Sequence, residues 1–190
     1  MAAPAIERGD AGGLRAAPPR WTFGIAGPRL RVSVGLLAWL ALSVWLLGLS
    51  PGWLGRVGPA AFVVAMMGSM LVHEGAHAVA AHKLGYRVEW IVLGGLAGVT
   101  AYFGRDDRPL DRAAVALAGP AASAGLVLVL VAMRATLPSE ADLTALVEMV
   151  LVFNVLALVG NLLPIAGTDG ARTFGGVTEH VRNLRARRSR

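Results

Sequence analysis

The residue types at positions 73 to 77, His-Glu-Gly-Ala-His, form an HExxH pattern in which two imidazoles are four residues apart. Four residues turn an α-helix through about 400°, so His73 and His77 lie one turn apart on one face and can bind a single ion. Sites of two imidazoles and a carboxylate favour zinc, with iron and manganese as the alternatives by residue type. Glu74 lies beside them, and its carboxylate can take a proton from water that the ion has made more acidic.

A zinc site of this kind requires a third protein ligand. Asp169 follows the last apolar segment, within the sequence NLLPIAGTDG, where a proline and two glycines would break a helix and let the chain fold back. Glu148 lies near the opposite end of that segment and is interpreted as an interfacial or helix-pairing carboxylate. The sequence therefore predicts that His73, His77 and Asp169 bind the metal.

Two asparagines lie seven residues apart on one face of the same apolar segment. Asn161 is a candidate catalytic residue, because its side chain could donate a hydrogen bond to a developing oxyanion or fix a peptide carbonyl. A structural hydrogen bond between helices is an equally good interpretation of Asn161. It is the favoured interpretation of Asn154.

The elements that position these residues are apolar enough for a membrane. The chain of 190 residues is 55% hydrophobic with a mean hydropathy of +0.59, above the roughly 45–50% of soluble domains. Four apolar segments are about as long as the 20 or so residues that cross a bilayer, or longer. They are Val32 to Ser50, Val57 to His82, Ala113 to Met133 and Leu143 to Pro164. The predicted fold class is an all-α membrane protein with about four transmembrane helices.

Basic residues are distributed unevenly around these segments. Lys and Arg number five before residue 32, five in residues 83–112 and six after Pro164, but one in each remaining loop, Arg56 and Arg134. Because cytoplasmic loops are enriched in Lys and Arg, both termini and the opening of the site are predicted to be cytoplasmic, in a multi-pass protein of the cell membrane. Residues 1–30 are predicted to be a disordered tail, 31–175 the membrane domain and 176–190 a basic tail that meets lipid headgroups.

The connection between the second and third segments, residues 88–104, is apolar but too short and too rich in glycine to span. It predicts a short re-entrant loop or β-hairpin, whose open edge could take an extended peptide by strand addition. An amphipathic connector at the interface is the alternative.

Taken together, these residues resemble the site-2 protease family of intramembrane zinc metalloproteases. The resemblance rests on HEGAH at 73–77, on Ala118-Gly119-Pro120, and on Asn161-x-x-Pro164 leading to Asp169-Gly170, and it covers roughly residues 58 to 175. The apparent lack of a PDZ insertion or a CBS domain is similar to the compact, sporulation-type branch. Ala166 and Thr168 stand where members of the family commonly have a second proline and a large apolar residue.

The resemblance implies one zinc ion held by His73, His77 and Asp169, with Glu74 as the catalytic base. Its implied substrates are membrane-anchored proteins, cut within or beside the bilayer. The absence of cysteine excludes thiol chemistry, and the position of the basic residues between apolar segments argues against nucleic acid as a partner. The alternatives are a non-catalytic metal-binding membrane scaffold and, third, a divalent-metal transporter.

Overall fold

A computed structural model of the chain describes residues 6–8, 14–16, 22–26, 30–47, 52–94, 98–104, 108–139 and 142–189. These residues are mostly helical. The helices are α1 (Gly35–Leu47), α2 (Gly52–Lys83), α3 (Pro109–Thr136), α4 (Asp142–Leu162) and α5 (Asp169–Arg188). The strands are β1 (Ile6–Arg8), β2 (Leu14–Ala16), β3 (Thr22–Ala26), β4 (Leu30–Ser33), β5 (Arg87–Leu93) and β6 (Val99–Phe103).

Three of the predicted transmembrane helices form with the length and hydropathy that crossing a membrane requires: Gly55–Lys83, Pro109–Thr136 and Asp142–Leu162. Their outward faces carry large apolar side chains, such as Leu128 at 70% exposure and Leu156 at 67%, which suits contact with lipid. The first predicted segment differs. The first two residues of this segment belong to strand β4. The helix that follows, α1, has only 13 residues and is about 20 Å long.

The core lies between α2, α3 and α4. Phe62 and Met66 on α2 pack with Leu130 on α3 and with Val147 on α4. A buried polar contact joins α2 to α4 as well, because Asn154 donates a hydrogen bond of 3.0 Å to Ser69 Oγ. These contacts fix α2, which carries the HExxH pattern, within the bundle.

The connection between α2 and α3 forms a β-hairpin of β5 and β6, one of the forms predicted for it. The hairpin belongs to a four-stranded sheet in the order β3-β4-β5-β6, in which β4 runs parallel to β5. The all-α class is therefore corrected to a mostly helical fold with a small sheet.

Strand β3 lies within the segment 1–30, for which composition predicts a disordered tail. Thr22 is buried, and the Arg31 guanidinium donates hydrogen bonds of 2.7 Å to its hydroxyl and carbonyl oxygens. The strand forms because β4 pairs with β5, some sixty residues along the chain. Local composition carries no information about a pairing of that range. The tail boundary at residue 30 stays a prediction, but the sheet continues across it.

Candidate metal centre

Three chelating atoms meet at one point between α2 and the start of α5. Asp169 Oδ2 lies 3.0 Å from His73 Nε2 and 3.2 Å from His77 Nε2, and the two ring nitrogens are 3.2 Å apart. All three side chains are buried. The structure thus brings together the three residues that the sequence predicts as metal ligands, although Asp169 is 96 residues from His73 along the chain.

The second nitrogen of each imidazole is held by α3. His77 Nδ1 lies 2.7 Å from the carbonyl oxygen of Val115, and His73 Nδ1 lies 2.8 Å from Ser123 Oγ. A carbonyl oxygen only accepts, so the proton of a neutral His77 is on Nδ1 and the lone pair of Nε2 faces Asp169. The contact with Ser123 allows the same tautomer for His73. Such outer contacts orient metal-binding imidazoles.

The donor set fits zinc. Nitrogen and oxygen ligands at about 2.0–2.1 Å from a tetrahedral ion are separated by roughly 3.4 Å. The three observed separations of 3.0 to 3.2 Å are close to this value. A carboxylate and two imidazole lone pairs would repel one another at such distances without a cation or proton between them, which is the arrangement that a metal site provides.

Asp169 is the first residue of α5 and lies outside the three membrane-spanning helices. The helix begins with an N-cap, because the Thr168 hydroxyl accepts a hydrogen bond of 3.2 Å from Ala171 N. Burial raises the pKa of Asp169, but the imidazoles of His73 and His77 beside it lower the pKa by more, so the net pKa lies below the ordinary value for an aspartate. The carboxylate is therefore ionised and available as a ligand.

Glu74 is held against the same cluster by the β-hairpin. A carboxylate oxygen of Glu74 lies within 4.8 Å of one ring nitrogen of each histidine. The Thr100 hydroxyl on β6 donates a hydrogen bond of 2.6 Å to Glu74 Oε2. Gly98 packs against the same side chain so closely that a Cβ there would lie 2.3 Å from Glu74 Oε1. The hairpin therefore both covers and orients the predicted base.

Gly119 on α3 packs directly on the two imidazoles. A Cβ at this position would lie 2.3 Å from His77 Nε2 and 2.7 Å from His73 Nε2, nearer than any carbon and nitrogen can approach without displacement. Pro120 follows, and its lack of an N–H leaves the carbonyl group of Ala116 without its usual helical partner. The Ala-Gly-Pro sequence thus serves close packing at the metal centre.

The remaining predicted residues lie elsewhere. Asn161 is half-buried near the end of α4, and within the described ranges it makes no hydrogen bond to the cluster; its catalytic role stays a prediction. Asn154 makes the interhelical bond to Ser69 described above. Glu148 pairs with Arg134 on α3 at 2.6 Å, as expected of a helix-pairing carboxylate.

Sequence reasoning missed two of the residues that orient the cluster. No motif or spacing singles out Ser123 within its apolar segment, and Thr100 lies in a connection that the sequence characterises only as apolar and rich in glycine. A hydroxyl carries no spacing signal of its own. The one available clue was Gly98-x-Thr100, since alternate strand residues face the same side, but the partner of that side is set by tertiary structure.

Comparison with known proteins defines the class. The Peptidase M50B-like family model matches residues 36–168, and the chain belongs to this family. The match ends one residue before Asp169.

A sequence relative agrees with this membership, and a solved structure is similar in fold. Over 159 residues the chain is 33% identical to Rip3 of Mycobacterium tuberculosis, described as a zinc metalloprotease, in each of two strains. The match covers 78% of this chain but 40% of Rip3, so the chain spans less than half the length of these relatives. The solved structure of a site-2 protease from Methanocaldococcus jannaschii is similar in fold, with a TM-score of 0.61 and 20% identity over 80% of this chain and 68% of that one.

Proposed function

We propose that the protein is an intramembrane zinc metalloprotease that hydrolyses peptide bonds within or near the transmembrane segments of membrane-anchored proteins. The observation that carries the proposal is the meeting of His73, His77 and Asp169 within 3.2 Å, beside Glu74. The site is built on a helix apolar enough to span a membrane. Ionisable groups at such positions are costly unless they bind, pair or react.

The chemistry divides between the metal and the chain. Bound at these three residues, zinc would polarise the scissile carbonyl and acidify the attacking water. Glu74 accepts the proton of that water and then delivers it to the leaving nitrogen, as a general base that becomes a general acid. Thr100 holds Oε2 of this carboxylate and Gly98 packs beside Oε1, so the hairpin fixes the carboxylate next to the proposed metal site.

A substrate helix must unwind before it can be cut, because its carbonyl groups are hydrogen-bonded within the helix and its side chains surround them. Strand β6 is the last strand of its sheet, and no strand pairs with its outer edge in the described part of the chain. That edge can hold an extended segment by backbone hydrogen bonds. Since Thr100 on β6 contacts Glu74, a segment held there would lie near the base.

The hairpin is proposed to re-enter the membrane. Strand β5 starts just after α2 ends, and Thr100, which pairs with Ile91, reaches back to Glu74. Counted from Lys83, Glu74 lies about 13 Å along α2. The paired strands would therefore run back beside α2 to at least that depth.

The first crossing is proposed to consist of β4 followed by α1. Leu36, at the start of α1, packs in the core with Phe62 and Met66 of α2, and the Ser43 hydroxyl approaches the carbonyl oxygen of Pro59 at 3.3 Å. Four strand residues and 13 helical residues together reach roughly 33 Å, about one hydrocarbon thickness. This gives four crossings, with both termini on the cytoplasmic side that the basic residues indicate.

The test is cleavage of a tagged single-span protein co-expressed with wild type or with Glu74→Gln. We expect the variant to lose activity by a factor of roughly 100 or more, since general acid–base groups contribute about 10²–10⁴, while zinc content stays unchanged. Glu148→Gln is the matched control, because this carboxylate is exposed and paired with Arg134; it should cleave like wild type. Equal cleavage by Glu74→Gln and wild type would exclude the assignment.

A further inference from the structure

Helix α5 carries an exposed apolar stripe, formed by Phe174, Val177, Val181 and Leu184. These side chains are 66%, 44%, 40% and 47% exposed. At 100° per residue they lie within an arc of about 80°. Large apolar side chains so aligned mark a surface that another apolar phase covers.

The end of the same helix is strongly basic. Its exposed arginines, here called the basic end, are Arg182, Arg185, Arg187 and Arg188. No acidic residue occurs in residues 180–190. At 100° per residue Arg188 falls within the arc of the stripe and Arg185 about 20° beyond one edge, while Arg182 and Arg187 lie roughly 80° and 60° outside its opposite edges. An apolar stripe flanked by cations is the pattern of helices that bind the surface of anionic membranes.

Contacts with α3 locate the middle of α5 beside the first turn of α3. Starting from the metal centre, α5 runs back along α3: a Cβ at Gly176 would lie 2.4 Å from the carbonyl oxygen of Pro109, the first residue of α3. One turn further, Glu179 pairs with Arg112 at 2.5 Å. Residues beyond Glu179 therefore continue from the first turn of α3, and the predicted topology puts this end of α3 in the cytoplasmic headgroup region, on the side where α2 ends.

The first residue of α5 is also the third ligand of the proposed metal centre. Asp169 is its first residue, and Gly170 packs so tightly that a Cβ there would lie 2.2 Å from the carbonyl oxygen of Leu162. Because a helix moves nearly as a rigid rod, displacement of its far end displaces Asp169 relative to His73 and His77. The position of α5 therefore sets the third metal ligand.

We propose that the apolar stripe and the basic end bind a bilayer surface rich in anionic lipid, and that this contact holds Asp169 at the metal centre. The inference rests on the proposed zinc site. Lipid is the fitting occupant because the basic end is complementary in charge to anionic headgroups, and because α3 and α4, against which α5 packs, also expose large apolar side chains that suit contact with lipid. Anionic lipid would thus increase zinc retention.

The experiment uses the full chain, loaded with zinc, in nanodiscs of phosphatidylcholine alone or of phosphatidylcholine with phosphatidylglycerol. Zinc loss to a chelating dye and tryptic cleavage within residues 182–188 are both followed over time. We expect phosphatidylglycerol to slow zinc loss about tenfold, within the range of couplings between distant sites, and to protect the arginines from trypsin. Raised salt should weaken both effects.

Variants assign the effect to α5. With Arg182, Arg185, Arg187 and Arg188 all changed to Gln, the phosphatidylglycerol effect should disappear while zinc loss in phosphatidylcholine stays at the wild-type rate. The matched change to Lys should restore both the slower zinc loss and the protection from trypsin, because trypsin cuts after Lys as well as after Arg. The Gln variant has no tryptic site within residues 182–188 and is judged by zinc loss alone. Phe174→Ser should reduce the effect, and Phe174→Leu should retain it.

Equal zinc loss and equal tryptic cleavage of the wild type in both lipids would overturn the proposal, as would an undiminished lipid effect in the Gln variant. A protection that depends on the number of chains per disc and not on lipid charge would assign the surface to a second copy instead. An effect of an added acidic peptide without one of lipid would assign it to a protein partner. No cleavage substrate is involved, so these outcomes are distinguishable from failure of the proposed activity; failure to retain zinc in any lipid would count against both.

Discussion

Thr100 on β6 donates a hydrogen bond of 2.6 Å to the carboxylate of Glu74 on α2, and its hydroxyl also lies 3.1 Å from the Glu74 carbonyl oxygen. Two different elements are thus joined at the residue proposed as the base. A hydrogen bond to a carboxylate fixes its rotamer as well as its charge. The hairpin therefore positions the proposed base and is not only a connection between helices.

Replacing Thr100 with Val removes this hydrogen bond at nearly constant volume. We expect cleavage to fall about tenfold, a fraction of what a general base contributes, with zinc content unchanged; Thr100→Ser should keep most of the activity. Thr144→Val is the control, since this buried hydroxyl bonds the carbonyl oxygen of Pro138 away from the site. Activity of Thr100→Val at the wild-type level would argue against a positioning role.

Gly119→Ala should disrupt zinc binding. Its Cβ would lie 2.3 Å from His77 Nε2, so the imidazole has to move away from the metal position. We expect zinc affinity to fall by at least the 10–100-fold typical of disturbed ligand orientation, measured by competition with a chelator. Gly125→Ala on the same helix is the matched control, because nothing lies within 4 Å of its Cβ. The prediction fails if both variants bind zinc as wild type does.

How far the site could be predicted depended on whether its geometry is local. His73, Glu74 and His77 follow from helical spacing alone. Asp169 could be chosen because few carboxylates remain once the apolar segments are drawn. Ser123 could not be assigned, because its contact with His73 crosses 50 residues and involves a residue type that is common in membrane helices.

The elements of the fold also differ in whether local sequence alone determines them. The apolar segments of α2, α3 and α4 are long enough to be recognised by length and hydropathy. The parallel pairing of Leu30 with Ile91 is not, because strands β3 and β4 depend on a partner outside their own sequence. Helix α5 was not predicted, for another reason: its segment is too polar to resemble a membrane span. The predicted boundary at residue 175 therefore divides it between the membrane domain and the basic tail.

A comparison of Ser123→Ala with Ser69→Ala should distinguish an effect on metal binding from an effect on helix packing. Ser123 lies 2.8 Å from His73 Nδ1, and its loss is expected to lower zinc affinity by about 10–100-fold, as for other residues that orient ligands. Ser69 accepts from Asn154 at 3.0 Å, so its loss should reduce the free energy of unfolding by about 0.6 kcal/mol, the average for such bonds in membranes. Zinc titration and thermal unfolding of both variants provide the comparison; equal zinc affinity in the two would contradict it.

Asp169→Asn tests the closure of the metal site most directly. The amide keeps the shape of the side chain but removes the negative charge that faces both imidazoles, so a divalent ion loses its anionic ligand. We expect zinc affinity to fall by more than the 100-fold that outer-shell changes reach, and cleavage to be lost with it. Asp142→Asn is the matched control, since Asp142 is likewise the first residue of a helix, α4, and loses the same favourable interaction with the helix dipole. Because both variants lose that interaction, a selective loss of zinc in Asp169→Asn can arise only at the metal centre; equal zinc retention in the two would mean that His73 and His77 hold the ion without the aspartate.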